Sequence, residues 1–102
     1  MKKLSKEIIL QTLETLKTQL ESFGVKKLTL FGSYARDEQQ EHSDIDFLVT
    51  FTQNRGNFDD FIKLKHLLED TFNTNIDLLE EEFVKEELKP YIYGGKLYET
   101  RI

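Results

Sequence analysis

The chain has no cysteine and no tryptophan, one proline, and five glycines in 102 residues. Without cysteine there can be neither a disulfide nor a thiolate metal site, and a cytosolic setting is expected. Long apolar runs are missing too. Ile8-Ile9-Leu10 is typical of those present, far short of the roughly 20 residues a membrane helix needs. Met1-Lys2-Lys3-Leu4 runs straight into Lys6 and Glu7, so no signal-peptide apolar stretch is expected. Positive charge is in short supply: 14 Lys and Arg stand against 19 Asp and Glu, a net charge of −5. A general nucleic-acid binder needs a basic face to neutralise phosphates, so the balance argues against that class. Glu80-Glu81-Glu82, the densest acidic stretch, reads as a solvated helix start.

What is present suits a soluble globular domain: 38% hydrophobic and 32% charged residues. The length predicts a single domain over 1–102. Such a chain buries only about two-thirds of its unfolded surface, so the core is modest and substrate contacts are expected to draw on a partner chain. No repeat, linker or low-complexity tract interrupts it.

Ile9, Leu13, Leu16, Leu20 and Phe23 form one apolar stripe and predict a helix over Ser5–Phe23, stopped by Gly24. Lys27–Phe31 predicts a first strand, and Gly32–Asp37 a tight turn into a short helix. Asp44–Phe51 alternates cleanly. Ile45, Phe47, Val49 and Phe51 face one way, and Asp44, Asp46, Leu48 and Thr50 the other. Phe58, Phe61, Leu64, Leu68 and Phe72 predict the main packing helix over Phe58–Phe72. Asn75–Leu79 reads as a third strand, Glu81–Lys89 as a short helix closed by Pro90, and Lys96–Thr100 as a terminal strand or arm. The order implies an α/β fold, a small mixed sheet backed by helices on one face, with the strand order left open.

Asp44 and Asp46 project from the same strand face about 6–7 Å apart. Two such acids repel one another unless a cation lies between them, and carboxylates with water and phosphate oxygens are the usual shell of Mg²⁺. Gly32-Ser33 follows an apolar strand and opens a helix. Glycine allows close backbone approach, Ser33 can cap the helix, and the free N–H groups of a first turn attract anions. A phosphate cradle next to a metal strand supplies what nucleotidyl transfer needs.

Gly32-Ser33-Tyr34-Ala35-Arg36, followed by Ser43-Asp44-Ile45-Asp46-Phe47-Leu48-Val49, resembles the signature of the DNA polymerase β-type nucleotidyltransferases. The ten-residue gap between Gly-Ser and Asp-x-Asp matches the smallest branch, the minimal nucleotidyltransferase (MNT) domains, over nearly the whole chain. The resemblance implies a polymerase β-like fold and a third carboxylate at Asp77, on a later strand. It implies two Mg²⁺ ions on Asp44, Asp46 and Asp77, and a triphosphate held by Gly32 and Ser33 with support from Arg36. Asp37 departs from the pattern, for many members have glycine there. The implied activity is transfer of AMP from ATP to a hydroxyl. MNT domains are commonly paired with HEPN-domain ribonuclease toxins, so the implied partner is such a toxin, adenylylated on a tyrosine and silenced. Silencing by stoichiometric binding alone, and an ATP-binding sensor, are the competing implications; association with the toxin or with a second copy is left open. His42 and His66 have no second ligand nearby in sequence and predict no histidine metal site.

Overall fold

The structure, a computed structural model, describes residues 3–102. Ser5 caps the first helix, accepting from Ile8 N at 3.2 Å. The apolar stripe then runs as two helices, α1 (Lys6–Thr15) and α2 (Lys17–Ser22). The single helix predicted over this stretch breaks at Leu16 (φ −98°, ψ 2°), whose N–H reaches back three residues to Leu13 O at 3.0 Å. Two threonines explain the break: Thr12 Oγ1 donates to Ile8 O at 2.7 Å and Thr15 Oγ1 to Thr12 O at 2.6 Å. Such back-bonding competes with the helical ladder and bends it.

Strands β1 (Val25–Phe31), β2 (Ile45–Phe51), β3 (Ile76–Glu80) and β4 (Tyr98–Arg101) form one sheet in the order β3-β2-β1-β4. β1 is antiparallel to both β2 and β4, while β2 and β3 are parallel, an arrangement that the crossover through helix α4 (Phe58–Phe72) allows. The mixed sheet is therefore the one expected, and the terminal strand is real. On one face Leu28 and Leu30 of β1, Ile45, Phe47 and Val49 of β2, and Ile76 and Leu78 of β3 pack beneath Ile9, Leu13 and Leu20 and against Leu64, Leu68 and Phe72 of α4. Phe47 is fully buried, its ring centroid 6.4 Å from that of Phe72. Phe58, counted into the α4 stripe from its spacing, is 77% exposed at the helix start.

The second face is not bare, as one-sided backing would have left it. A smaller cluster of Phe31, Leu48 and Ile92 covers it, with Leu79, Val84 and Leu97 packed alongside. Ile92 belongs to a short helix α5 (Lys89–Tyr93) that the sequence reading ended where it begins. Pro90 opens this helix instead of closing one, since the first turn has no use for its missing N–H. The stretch before it, predicted as helix, forms two 3₁₀ turns, Glu81–Phe83 and Glu86–Leu88, joined by extended Val84 and Lys85.

Candidate functional site

The site lies on this second face. β1 ends at Phe31, which sits opposite Asp46 on β2, and Asp46 in turn sits beside Asp77 on β3. The row Phe31–Asp46–Asp77 thus crosses three strands at one level, with Gly32-Ser33 leaving its β1 end. Strands in a sheet are about 4.8 Å apart, so Asp46 and Asp77 are immediate neighbours. Asp44 lies just before β2, one residue short of the strand predicted for it, and is exposed.

Burial, and after it the charge of Asp77, push the Asp46 carboxyl up to about 7; a hydrogen bond with Asp77 and the more weakly felt charge of Asp44 add to this, and Arg36 opposes it. The tightest acidic pair is therefore Asp46 with Asp77, from different strands, and Asp44 is the outer member. Glu41, His42, Asp44, Glu69 and Asp70 border an open cavity of about 520 Å³ beside this row; Asp46 and Asp77 are not among its walls and stand on an open shelf.

Gly32 starts a four-residue helix α3 (Gly32–Ala35) with φ +77°, a conformation that costs other residues strain. A Cβ there would collide with Asp46 Oδ2, so the turn backbone lies directly against the acid. The cap position falls to Phe31, with no side-chain cap hydrogen bond. Ser33, expected to cap α3, lies inside its first turn and is half-buried. Tyr34 and Ala35 anchor α3 in the main core. Arg36 follows α3, its Nε donating to Glu38 Oε2 at 3.1 Å, with the Tyr91 hydroxyl close enough to add to its charge stabilisation.

Asp37 adopts φ +57°, which explains why glycine suits this position and why Asp, a tolerant residue in the left-handed region, can replace it. Its charge is met by Lys6 Nζ at 3.1 Å, which also donates to the Tyr98 hydroxyl at 3.2 Å.

Among the described residues, no three of His, Cys, Asp and Glu converge as a ready-made cation cage. The donor set nevertheless suits Mg²⁺, which is usually held by one or two carboxylates, with substrate phosphates and waters completing its octahedron. The repulsion by Asp77 and Asp44 that adds to burial in raising Asp46 is what such a cation relieves.

The sequence profile described as the nucleotidyltransferase domain matches residues 10–101. The chain belongs to this family. Protein adenylyltransferase MJ0435 of Methanocaldococcus jannaschii, so named provisionally, is 42% identical over 69 residues, covering 68% of this chain and 73% of that protein. Protein adenylyltransferase MntA of Thermococcus cleftensis is 38% identical over 65 residues, 64% of this chain and 65% of that one. Among solved structures, a minimal nucleotidyltransferase, also provisionally named, superposes with a TM-score of 0.74 at 27% identity, covering 91% of this chain and 94% of the other. A complex of a tri-AMPylated Shewanella oneidensis HEPN toxin with its MNT antitoxin matches with a TM-score of 0.58 at 19% identity, over 88% of this chain and 70% of that one, and shows the shared fold. No helix among the described residues is long and apolar enough to cross a membrane.

The sequence reading brought Gly32, Asp44, Asp46 and Asp77 to one place, and the structure brings them together. It missed α5, which covers the site's flank through Ile92 and brings Tyr91 to Arg36. The signal was Leu48: an apolar residue on the acidic face of β2 needs something to cover it.

Proposed function

We propose that this nucleotidyltransferase moves AMP from ATP to a hydroxyl, a tyrosine hydroxyl by preference, of a HEPN-domain toxin and so acts as its antitoxin. The observation that carries the reading is the row of Gly32-Ser33, Asp46 and Asp77 across three adjacent strands. In it a phosphate-holding turn and an acidic pair flank one reaction point. The adenylyltransferase relatives and the solved toxin–antitoxin complex support the acceptor class.

In this mechanism the Gly32 and Ser33 amides and the Ser33 hydroxyl hold the β- and γ-phosphates, helped by Arg36 once a phosphate competes with Glu38 for it. Asp44, Asp46 and Asp77 would hold Mg²⁺, two ions in all. Bound there, the metal would supply charge neutralisation and Lewis-acid assistance to the transfer. The acceptor oxygen forms its bond to the α-phosphorus as the bond to the bridging oxygen breaks, and pyrophosphate leaves. Asp77, with Asp46, accepts the acceptor's proton.

The test is incubation of the purified chain with its HEPN partner, Mg²⁺ and ATP labelled on the α-phosphate. Label should appear on the toxin and its ribonuclease activity should fall, and Asp77→Asn should prevent both. If the Asp77→Asn chain silences the toxin fully with no adenylate attached, neutralisation is stoichiometric and the transfer reading fails.

A further inference from the structure

The direction from which an acceptor reaches the site follows from the sheet order. In phosphoryl-type transfer the attacking and leaving oxygens lie roughly in line through the phosphorus. The turn that holds the leaving pyrophosphate sits at the end of β1, Asp46 is central on β2, and Asp77 is on β3. The acceptor hydroxyl therefore comes in over β3. β3 is the outer strand, with no further strand beyond it among the described residues.

What lies along that edge is apolar. Phe61, Leu78, Leu79, Phe83, Val84 and Leu88 line a groove of about 380 Å³, with Glu80 and Lys85 at its margin. Phe83 is 71% exposed and Leu88 42%. These exposures come from the two 3₁₀ turns: Val84 tucks inward beside Leu79, and Phe83 on one side and Leu88 on the other are left facing out. Clustered exposed apolar side chains of this size mark interaction sites. The groove reaches toward the site through Leu79, which lies two residues beyond Asp77 on β3 and on the same sheet face.

The rim is acidic on balance: Lys85 is the cation that lines the groove, against Glu80 in its wall and the exposed Glu82, Glu86 and Glu87 of the two adjoining turns. Glu81 is taken up by Lys27 and Thr50, and Glu86 by Lys89. Among the described residues no cation lies within ion-pair distance of Glu80, Glu82 or Glu87, and burial together with Glu82 pushes the Glu80 carboxyl above its ordinary range. Such a rim disfavours a second copy of the same groove, which would set acid against acid, and an anionic lipid surface. It favours a basic partner.

We infer that the acceptor protein docks in this β3-edge groove through an apolar side chain flanked by lysine or arginine, a reading that rests on the proposed transfer to a protein. The groove thereby sets acceptor specificity, while the β1 side of the site sees only the nucleotide.

The experiment compares the intact chain with Phe83→Ser/Leu88→Ser, and separately with Glu82→Lys, using the HEPN-domain protein as probe. The exposed positions make loss of folding avoidable, and equal melting temperatures check this. The double variant should weaken binding of the HEPN protein, read by calorimetry without nucleotide, at least tenfold, and raise its KM in the transfer assay similarly. Glu82→Lys should weaken binding severalfold, more so at low salt. The affinity for ATP with Mg²⁺ should stay within twofold in both. Unchanged affinity for the HEPN protein overturns the inference whether or not transfer occurs, so a failed transfer assay with wild-type chain refutes only the proposed function. A shift in oligomeric state by light scattering with no change in HEPN affinity makes the groove a self-interface, and lost ATP affinity makes it part of the nucleotide site; either also overturns it.

Discussion

The backbone of Gly32 lies so close to the carboxylate of Asp46 that a methyl group on Gly32 would collide with Asp46 Oδ2. The Gly32-Ser33 turn and Asp46 are thus one packed unit, and a side chain added at Gly32 has to displace the acid. Gly32→Ala meets two penalties, the collision and a positive φ of 77°, the second worth about 1–2 kcal/mol. Transfer should fall at least a hundredfold and the melting temperature should drop. In an Asp46→Ala background the collision is gone, so the same glycine substitution should cost only the backbone part. A double-mutant cycle by denaturant unfolding reads the difference as a coupling of the two sites, and strict additivity would mean the turn relaxes freely away from the acid.

The Asp46 carboxyl, raised from 3.8 to about 7 by burial and by Asp77, makes stability pH-dependent in the metal-free protein. Between these two values the folded chain holds a proton that the unfolded chain has released. Stability from this group is therefore full at low pH and declines as pH rises toward 7. In chelator, urea unfolding should give a falling contribution between about pH 4 and 7 that Asp46→Asn removes. Asp77→Asn should lower the Asp46 midpoint, read by carboxyl carbon NMR titration. An Asp46 midpoint that Asp77→Asn leaves unmoved would show that the two acids are not neighbours.

Asp60 behaves in the opposite sense. It accepts from Arg55 Nε at 3.1 Å and Nη2 at 3.0 Å, and from Gly56 N at 2.9 Å. Arg55 and then the Gly56 amide hold its carboxyl down to about 2, against an ordinary 3.8. Its stabilisation is present above the ordinary value and is lost as pH falls through the lowered one. Arg55 also donates to Ser22 O at 2.9 Å, so the pair ties the β2–α4 loop to the end of α2. Asp60→Asn should lower the denaturation midpoint at pH 7 and leave a flatter acid limb between pH 4 and 2. An acid limb as steep as that of the wild type would place the lost charge elsewhere.

These contrasts mark what the sequence makes legible. β2 was readable because its period-2 alternation is local, and Ile45, Phe47 and Val49 are indeed core, while Asp46 faces the site. Asp77 was readable for the same reason. Leu16 and Pro90 were misplaced because their outcomes depend on competition rather than pattern. The apolar stripe runs unbroken through Leu16, and only the threonine hydroxyls divert the ladder. Pro90 suits either end of a helix, and the choice was made by Ile92 docking on Phe31 and Leu48, residues remote in sequence. The pairing of Asp46 with Asp77 ahead of Asp44 likewise needed the strand order, which no spacing within β2 encodes.

Asp37 offers a test in which two small effects oppose. Its left-handed backbone, φ +57°, costs a residue with a Cβ about 1–2 kcal/mol and glycine nothing. Against this stands the pair with Lys6, with Asp37 more than half exposed, which like most exposed pairs contributes little. Asp37→Gly gives up the pair and the strain together and should leave stability unchanged or slightly higher. Asp37→Ala gives up the pair and keeps the strain, so it should be the less stable of the two variants by about 1 kcal/mol. Both remove a negative charge close to the turn proposed to hold the triphosphate, so both should tighten ATP binding in the presence of Mg²⁺ by a similar severalfold factor, more at low salt. Paired unfolding and calorimetric titrations separate backbone from charge. If the glycine variant is the less stable, the Lys6 pair outweighs the strain; if ATP affinity is unmoved in both, Arg36 and Lys6 already screen Asp37 from the nucleotide.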